Sequence, residues 1–159
     1  KVDKLTQMVD TLEMIKSQTV TVGAMKGDNT WLAGIHEYGC NINVTPKMRA
    51  YLRSVGLPLK DSTTVIKIPE RSFLRNRHDE NVDRIIKQTE RAIGQCLIGK
   101  MSIDEMLDLY GQQMSTAVKK YMRDLSQPAN HSFTVSRKGS SNPLIDTGGL
   151  VESIMWKKG

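Results

Sequence analysis

The chain has little aromatic material: two phenylalanines, two tryptophans and four tyrosines in 159 residues. Nine methionines stand against them, so an adaptable core is expected rather than one of stacked rings. Cysteine is nearly missing too. Cys40 and Cys96 form no CxxC pair, which leaves no cysteine-based metal spacing and fits synthesis in a reducing cytoplasm. Cys96 falls on the apolar face of a helical pattern and is read as a buried, inert thiol. No apolar run approaches the length that spans a bilayer, and Lys1-Val2-Asp3-Lys4 does not read as the start of a signal peptide. The net charge is +6, which permits contact with nucleic acid or an acidic partner. Yet there is no polybasic block and no basic–aromatic alternation of the kind that binds single strands.

What is present is a soluble-type composition, 38% hydrophobic and 25% charged, which argues against wholesale disorder. A single domain over 1–159 is expected. Val2, Leu5, Met8, Val9, Leu12 and Ile15 recur at helical spacing. Thr19 to Met25 alternates like a strand. Asp28 or Asn29 is placed to cap a short helix through Trp31, Leu32 and Ile35, ending at Gly39. A second strand is expected over Asn41–Val44. Thr45-Pro46 then starts a helix that carries Met48, Tyr51, Leu52 and Val55 and stops at Gly56. A third strand, Thr63–Ile68, stops at Pro69, which cannot donate to a sheet ladder.

Val82, Ile85, Ile86, Thr89, Ile93, Cys96 and Leu97 line one face of a helix expected from about Asp79 to Leu97. Ser102-Ile103-Asp104-Glu105 is a capping box, opening an apolar series from Ile103 to Leu125. Gly99 between them points to a helical hairpin. Residues 126–143 read as a mobile, basic, polar loop in which only Phe133-Thr134-Val135 has strand character. Asp146-Thr147-Gly148-Gly149 is expected to cap a last helix through Leu150, Val151 and Ile154. The fold class is therefore α+β: a small, mainly antiparallel sheet of about four strands, packed against two long amphipathic helices, plus short helices.

Chemistry is hard to find. His36-Glu37 is the only adjacent base–acid pair. Without a recognisable third group it reads better as part of a polar helical face than as a catalytic dyad. His36, His78 and His131 are isolated and show no metal-ligand spacing. Asp104, Glu105 and Asp108 suit the dipole of a helix start. Gly148-Gly149 lacks the lysine and the spacing of a phosphate loop. No catalytic residue, metal or cofactor is expected. The octapeptide Ile68-Pro69-Glu70-Arg71-Ser72-Phe73-Leu74-Arg75 reads as a docking elbow. Its Phe73 and Leu74 are expected beneath the helical hairpin, with Arg71 or Arg75 bridging to acidic groups within or between subunits.

Three segments together resemble a known family. They are Leu32-Ala33-Gly34-Ile35-His36-Glu37-Tyr38-Gly39, the elbow Ile68–Arg75, and Asn142-Pro143-Leu144-Ile145-Asp146-Thr147-Gly148-Gly149-Leu150-Val151-Glu152-Ser153-Ile154. In order and spacing they are similar to the virion-morphogenesis, tail-completion proteins of long-tailed bacteriophages. Ser72 stands where many members carry a second proline, which implies a softer elbow. The resemblance implies a structural protein of the virion neck, made in the bacterial host cytoplasm, that is not an enzyme. It would form a ring, often sixfold, at the head-proximal end of the tail. Its implied partners are further copies of itself, the tail tube or tail terminator protein, and the head-completion or connector protein, with no membrane. The resemblance marks His36, Glu37, Tyr38, Arg71, Phe73, Leu74, Arg75, Asp146, Thr147 and Leu150 as interface or fold-motif positions. In such a ring, Arg137 and Lys138 would face a lumen and touch passing DNA non-specifically. The rival readings are a basic nucleic-acid-binding module and a hydrolase using His36 and Glu37.

Overall fold

The structure is a computed structural model that describes residues 3–159; Val2, expected at the start of the first apolar stripe, lies outside the described residues. In chain order the elements are α1 (Lys4–Lys16), β1 (Val20–Ala24), α2 (Asp28–Tyr38), β2 (Cys40–Asn43), α3 (Pro46–Ser54) and β3 (Val65–Ile68). There follow α4 (Arg75–Asp79), α5 (Val82–Leu97), α6 (Ile103–Asp124), α7 (Ser132–Lys138), α8 (Gly149–Ser153) and β4 (Ile154–Lys158). Among the described residues this is a mixed α+β architecture of eight helices and four strands.

The strands do not form the single sheet expected. They make two separate antiparallel pairs, β1 with β4 and β2 with β3. β1 aligns Val20 with Lys158 and Ala24 with Ile154, while β2 aligns Cys40 with Ile68 and Asn43 with Val65. The missed strand is β4, which the sequence pattern merges into the last helix. Helical backbone ends at Ser153, and Ile154 turns extended. The amides and carbonyls of Thr19 and Gly159 then close the ladder reciprocally at 2.9 and 3.1 Å. The β1–β4 pair rests on α6, and α5 packs instead against α1 and α6. Gly111 allows the close approach of α6 to β4: a β-carbon there would stand 2.1 Å from the Trp156 ring.

Local chemistry explains most element boundaries. Thr45 accepts from the Met48 amide at 3.1 Å, with Pro46 at the first helical position. Ser102 and Glu105 make the reciprocal capping box of α6. Three expectations change. Asp28 and Asn29 lie inside α2, whose N-cap is Gly27, and the Asn29 side chain donates from Nδ2 to Gly149 O at 3.4 Å. The helix expected from about Asp79 begins at Val82: Asp79 belongs to the separate short helix α4, where Asn81 donates its side-chain N–H to Arg77 O at 2.8 Å and so competes for its carbonyl. The 126–143 segment contains α7 rather than a strand. His131 accepts from the Phe133 amide at its start, and Gly139 closes it in the left-handed region.

Two apolar clusters hold these elements. The larger brings Phe73, Val118, Met122 and Ile154 together with Ala33, Leu144, Leu150 and Val151. The smaller joins Ala92 and Cys96 of α5 to Met106 and Leu107 of α6, where Gly99 turns the chain at φ +70°. Cys96 is buried, as its helical position predicts. Among the described residues no helix is long and apolar enough to cross a membrane.

Candidate functional site

The residues of the first two motifs meet at one carboxylate. After Pro69 stops the strand, Ser72, Phe73, Leu74 and Arg75 turn into α4, and α4 has no side-chain cap at its own N-terminus. Orphan amide donors at a helix start need an acceptor from elsewhere. Glu37, from the last turn of α2, supplies it. Its Oε2 accepts from the amides of Phe73 and Leu74 at 2.9 and 3.0 Å. Its Oε1 accepts from the Ser72 hydroxyl at 2.7 Å, the Arg75 amide at 3.0 Å and Arg75 Nε at 3.1 Å.

Glu37 is only 3% exposed. Burial by itself would raise its pKa. The amides of Leu74 and Arg75, the Ser72 hydroxyl and the Phe73 amide outweigh that cost and hold the carboxyl below its ordinary value. With both oxygens so engaged, this carboxylate is a clamp and a poor general base. The sequence pattern placed it on a polar helical face, and the structure corrects that.

Around the clamp, Arg75 binds twice more, donating from Nη2 to Glu37 O and Glu70 Oε1, each at 2.8 Å. Its guanidinium lies over the exposed Tyr38 ring at 4.6 Å. Arg75 thus bridges to acidic groups, as expected, but Arg71 does not. Arg71 is 5% exposed and turns to the 126–143 segment. It donates from Nε to Pro128 O at 2.7 Å and from Nη2 to Ala129 O and Asn130 Oδ1 at 3.2 and 3.1 Å. A segment expected to be mobile is thereby tied to the elbow by a buried cation. The Arg71 amide also donates to His36 O at 2.7 Å. Phe73 is fully buried against α6 in the larger cluster, and half-buried Leu74 packs on the same cluster. Phe73 lies beneath α6, whereas Leu74 also lines a groove between the two arms of the hairpin, shared with Ile85 and Thr89 of α5 and Met114 of α6.

The third motif arrives from the other side of α2, which packs on α8. His36, Lys138, Asp146, Thr147 and Leu150 line one cleft of about 290 Å³. Leu150 belongs to the core, whereas Asp146 and Thr147 are exposed; the N-cap of α8 is Gly148, and the Thr147 hydroxyl accepts from the Gly149 amide at 3.4 Å. His36 is held to a pKa of about 4 by burial and then by the charges of Arg71 and Lys138, so it is neutral at neutral pH. Its buried Nδ1 has no protein partner. His36 and Glu37 share no hydrogen bond, and the pair is not a dyad. Lys138 donates to Asn142 O at 2.5 Å, and the exposed Arg137 guanidinium lies 5.8 Å from the Phe133 ring centre.

Known family models, curated proteins and solved structures gave no match to this chain.

Two motif residues have roles that the sequence alone does not show. Gly39, at φ +66°, lets the chain pass close to the elbow: a β-carbon there would lie 2.8 Å from Glu70 N and Ile68 O. Asn142 donates to Met122 O and Arg123 O and accepts from the amides of Leu144 and Ile145. It thus fastens the third motif to the end of α6. The structural reason for Glu37 is that the N-cap position of α4 is Leu74, which has no side-chain acceptor, so the amides there need one from elsewhere.

Proposed function

We propose that this chain is a structural virion protein that assembles as a ring at the head-proximal end of a phage tail and takes part in tail completion and head–tail joining. The reading starts from the three ordered motifs. The observation that carries it is their convergence on α2: Glu37 clamps the elbow, and the same helix packs on α8 of the third motif. Motif residues committed to holding segments together suit a scaffold for docking, and Glu37 in particular has little basicity left for chemistry. The proposed partners are neighbouring copies, closing as a hexamer, the tail tube or its terminator, and the head-completion protein. Of the two residues assigned to a DNA lumen, Arg137 has its charge the freer, since Lys138 is tied to Asn142.

Electron microscopy of particles made without this protein tests the reading. Filled heads beside finished, unattached tails are the expected result. Tails of uncontrolled length would assign a terminator role instead, and normal infectious particles would overturn the proposal.

A further inference from the structure

Residues 40–68, comprising β2, α3 and β3, form an arm without a core. No residue from 38 to 70 is buried. β2 and β3 pair with each other, and none of the three elements packs extensively on an element outside the arm. A two-stranded pair of this kind is marginal in water without a surface to cover one face. Apolar side chains are nevertheless present in it: Tyr51 is 57% and Val65 43% exposed. The arm is also strongly basic. Lys47, Arg49, Arg53, Lys60 and Lys67 against Asp61 alone give it +4 of the chain's +6. Arg49 is occupied internally, donating to Leu59 O, Lys60 O and Thr63 O; the other charges remain for a partner.

The same chain carries a surface of opposite character. α1 has no buried residue, and its Leu5, Val9 and Leu12 are 66%, 49% and 39% exposed. On α5, against which α1 packs, Val82 and Ile86 are exposed as well. Across 3–16 and 79–87 the acids outnumber the bases by two; Asp79, Glu80 and Asp83 flank Val82 in sequence, and Glu80 is paired with Arg77 at 3.6 Å. Exposed apolar groups on adjoining elements mark an interaction surface.

We propose that the basic arm of one copy docks on the α1–α5 face of the next copy. Such a contact uses different patches on the two partners. It is therefore heterologous, and it closes into a ring when the rotation between copies allows. The apolar residues on both sides favour a protein occupant over a nucleic acid, for which charge alone would be needed. This inference deepens the ring reading above by naming the contact between its subunits.

Complementary defects test it. Tyr51→Glu spoils the arm, and Val9→Glu spoils the receiving face; both positions are exposed, so the fold tolerates either change. Sedimentation velocity of the full chain should show the parent forming oligomers. Each variant alone should associate at least about 30-fold more weakly, the scale of one lost interface anchor. An equimolar mixture of the two should give a heterodimer and nothing larger, because it retains one intact arm and one intact receiving face. A mixture that stays monomeric while the parent oligomerises would overturn this contact and leave the ring reading standing. A parent that is monomeric up to its solubility limit would overturn self-docking. So would arm amides that gain hydrogen-exchange protection only when duplex DNA is added and lose it with salt, which would make DNA the occupant. The particle-assembly experiment remains the separate test of the neck function.

Discussion

The elbow and the arm are neighbours in the chain and opposites in their physics. At Arg71, Ser72 and Phe73 every side chain is at least 95% removed from solvent, and the two polar ones are hydrogen-bonded. Immediately before them, residues 40–68 bury nothing fully. The elbow derives its order from contacts to α2, α6 and the 126–143 segment, all distant in sequence. The arm derives its order from local devices: the Thr45 cap, the four-rung β2–β3 ladder and the Arg49 staple. Stability is thus concentrated on one side of Pro69, and unsatisfied surface on the other. Substitutions should separate the two regions sharply.

The largest effect belongs to Phe73→Ala. The side chain is fully buried among Val118, Met122 and Ile154, so its removal should cost about 3–5 kcal/mol. At this chain length that lowers Tm by roughly 10 °C. Denaturant and thermal melts check it, and an unchanged Tm would mean that the elbow is not anchored by this ring.

Next comes Glu37→Gln. Five donors converge on the carboxylate, and an amide replaces one acceptor oxygen with a donor. A loss of about 2–4 kcal/mol is expected. The same variant carries a pH signature. Since the folded state holds this carboxyl below its ordinary value of 4.5, the clamp contributes fully above that pH. Its contribution fades as the pH falls through the lower folded value. Glu37→Gln should flatten this acid limb, and a melt series from pH 7 to pH 3 compares parent with variant. Gly39→Ala tests the hinge between the two regions. A left-handed backbone combined with contacts at 2.8 Å to Glu70 N and Ile68 O should cost about 1–3 kcal/mol.

His36 offers a smaller, pH-confined effect. Its folded pKa is lowered to about 4 from 6.5, so the unfolded chain takes up the proton first. Stability should be constant above pH 6.5, decline between pH 6.5 and about 4, and then level off for this group. The charged groups at the site are Arg71 and Lys138, with Asp146 in the same cleft. His36→Asn should remove that slope. An identical slope in the variant would assign it to other groups.

The elbow–arm contrast also sorts what was legible in the sequence. Caps, turns and single helices follow from short-range chemistry, which is why the Ser102 capping box, the Thr45-Pro46 start and the strand near 65–68 could be read directly. Buried Cys96 followed from periodicity. What failed depended on partners far along the chain. β4 exists because Ile154–Lys158 finds Val20–Ala24, and five residues at the end of a helical pattern carry too little alternation to announce it. α7 was hidden because Phe133-Thr134-Val135 has β-favouring residues, whereas the His131 cap and the left-handed Gly139 decide for a helix. Glu37 was misplaced because a charged residue on a short helix ordinarily faces water. Only the uncapped donors of the elbow, thirty-odd positions later, require it inside. The three motifs were visible as strings, but the clamp joining them is a tertiary fact.

The smallest expected effect completes the contrast. Tyr51 lies on α3 and is 57% exposed, so in the isolated monomer Tyr51→Ala removes little buried area. Alanine also has the higher helix propensity, an offsetting gain of roughly 0.5 kcal/mol. The unfolding free energy, measured below the concentration at which copies associate, should therefore stay within about 0.5 kcal/mol of the parent. Phe73 and Tyr51 are both aromatic and both belong to segments flanking Pro69, yet one truncation should unfold a large fraction of the protein's stability while the other leaves it intact. A loss above about 1.5 kcal/mol for Tyr51→Ala would show that the arm is packed on its own chain in solution. The arm would then have no free apolar face to offer, and the division of the molecule at Pro69 into a stable side and a surface-bearing side would fail.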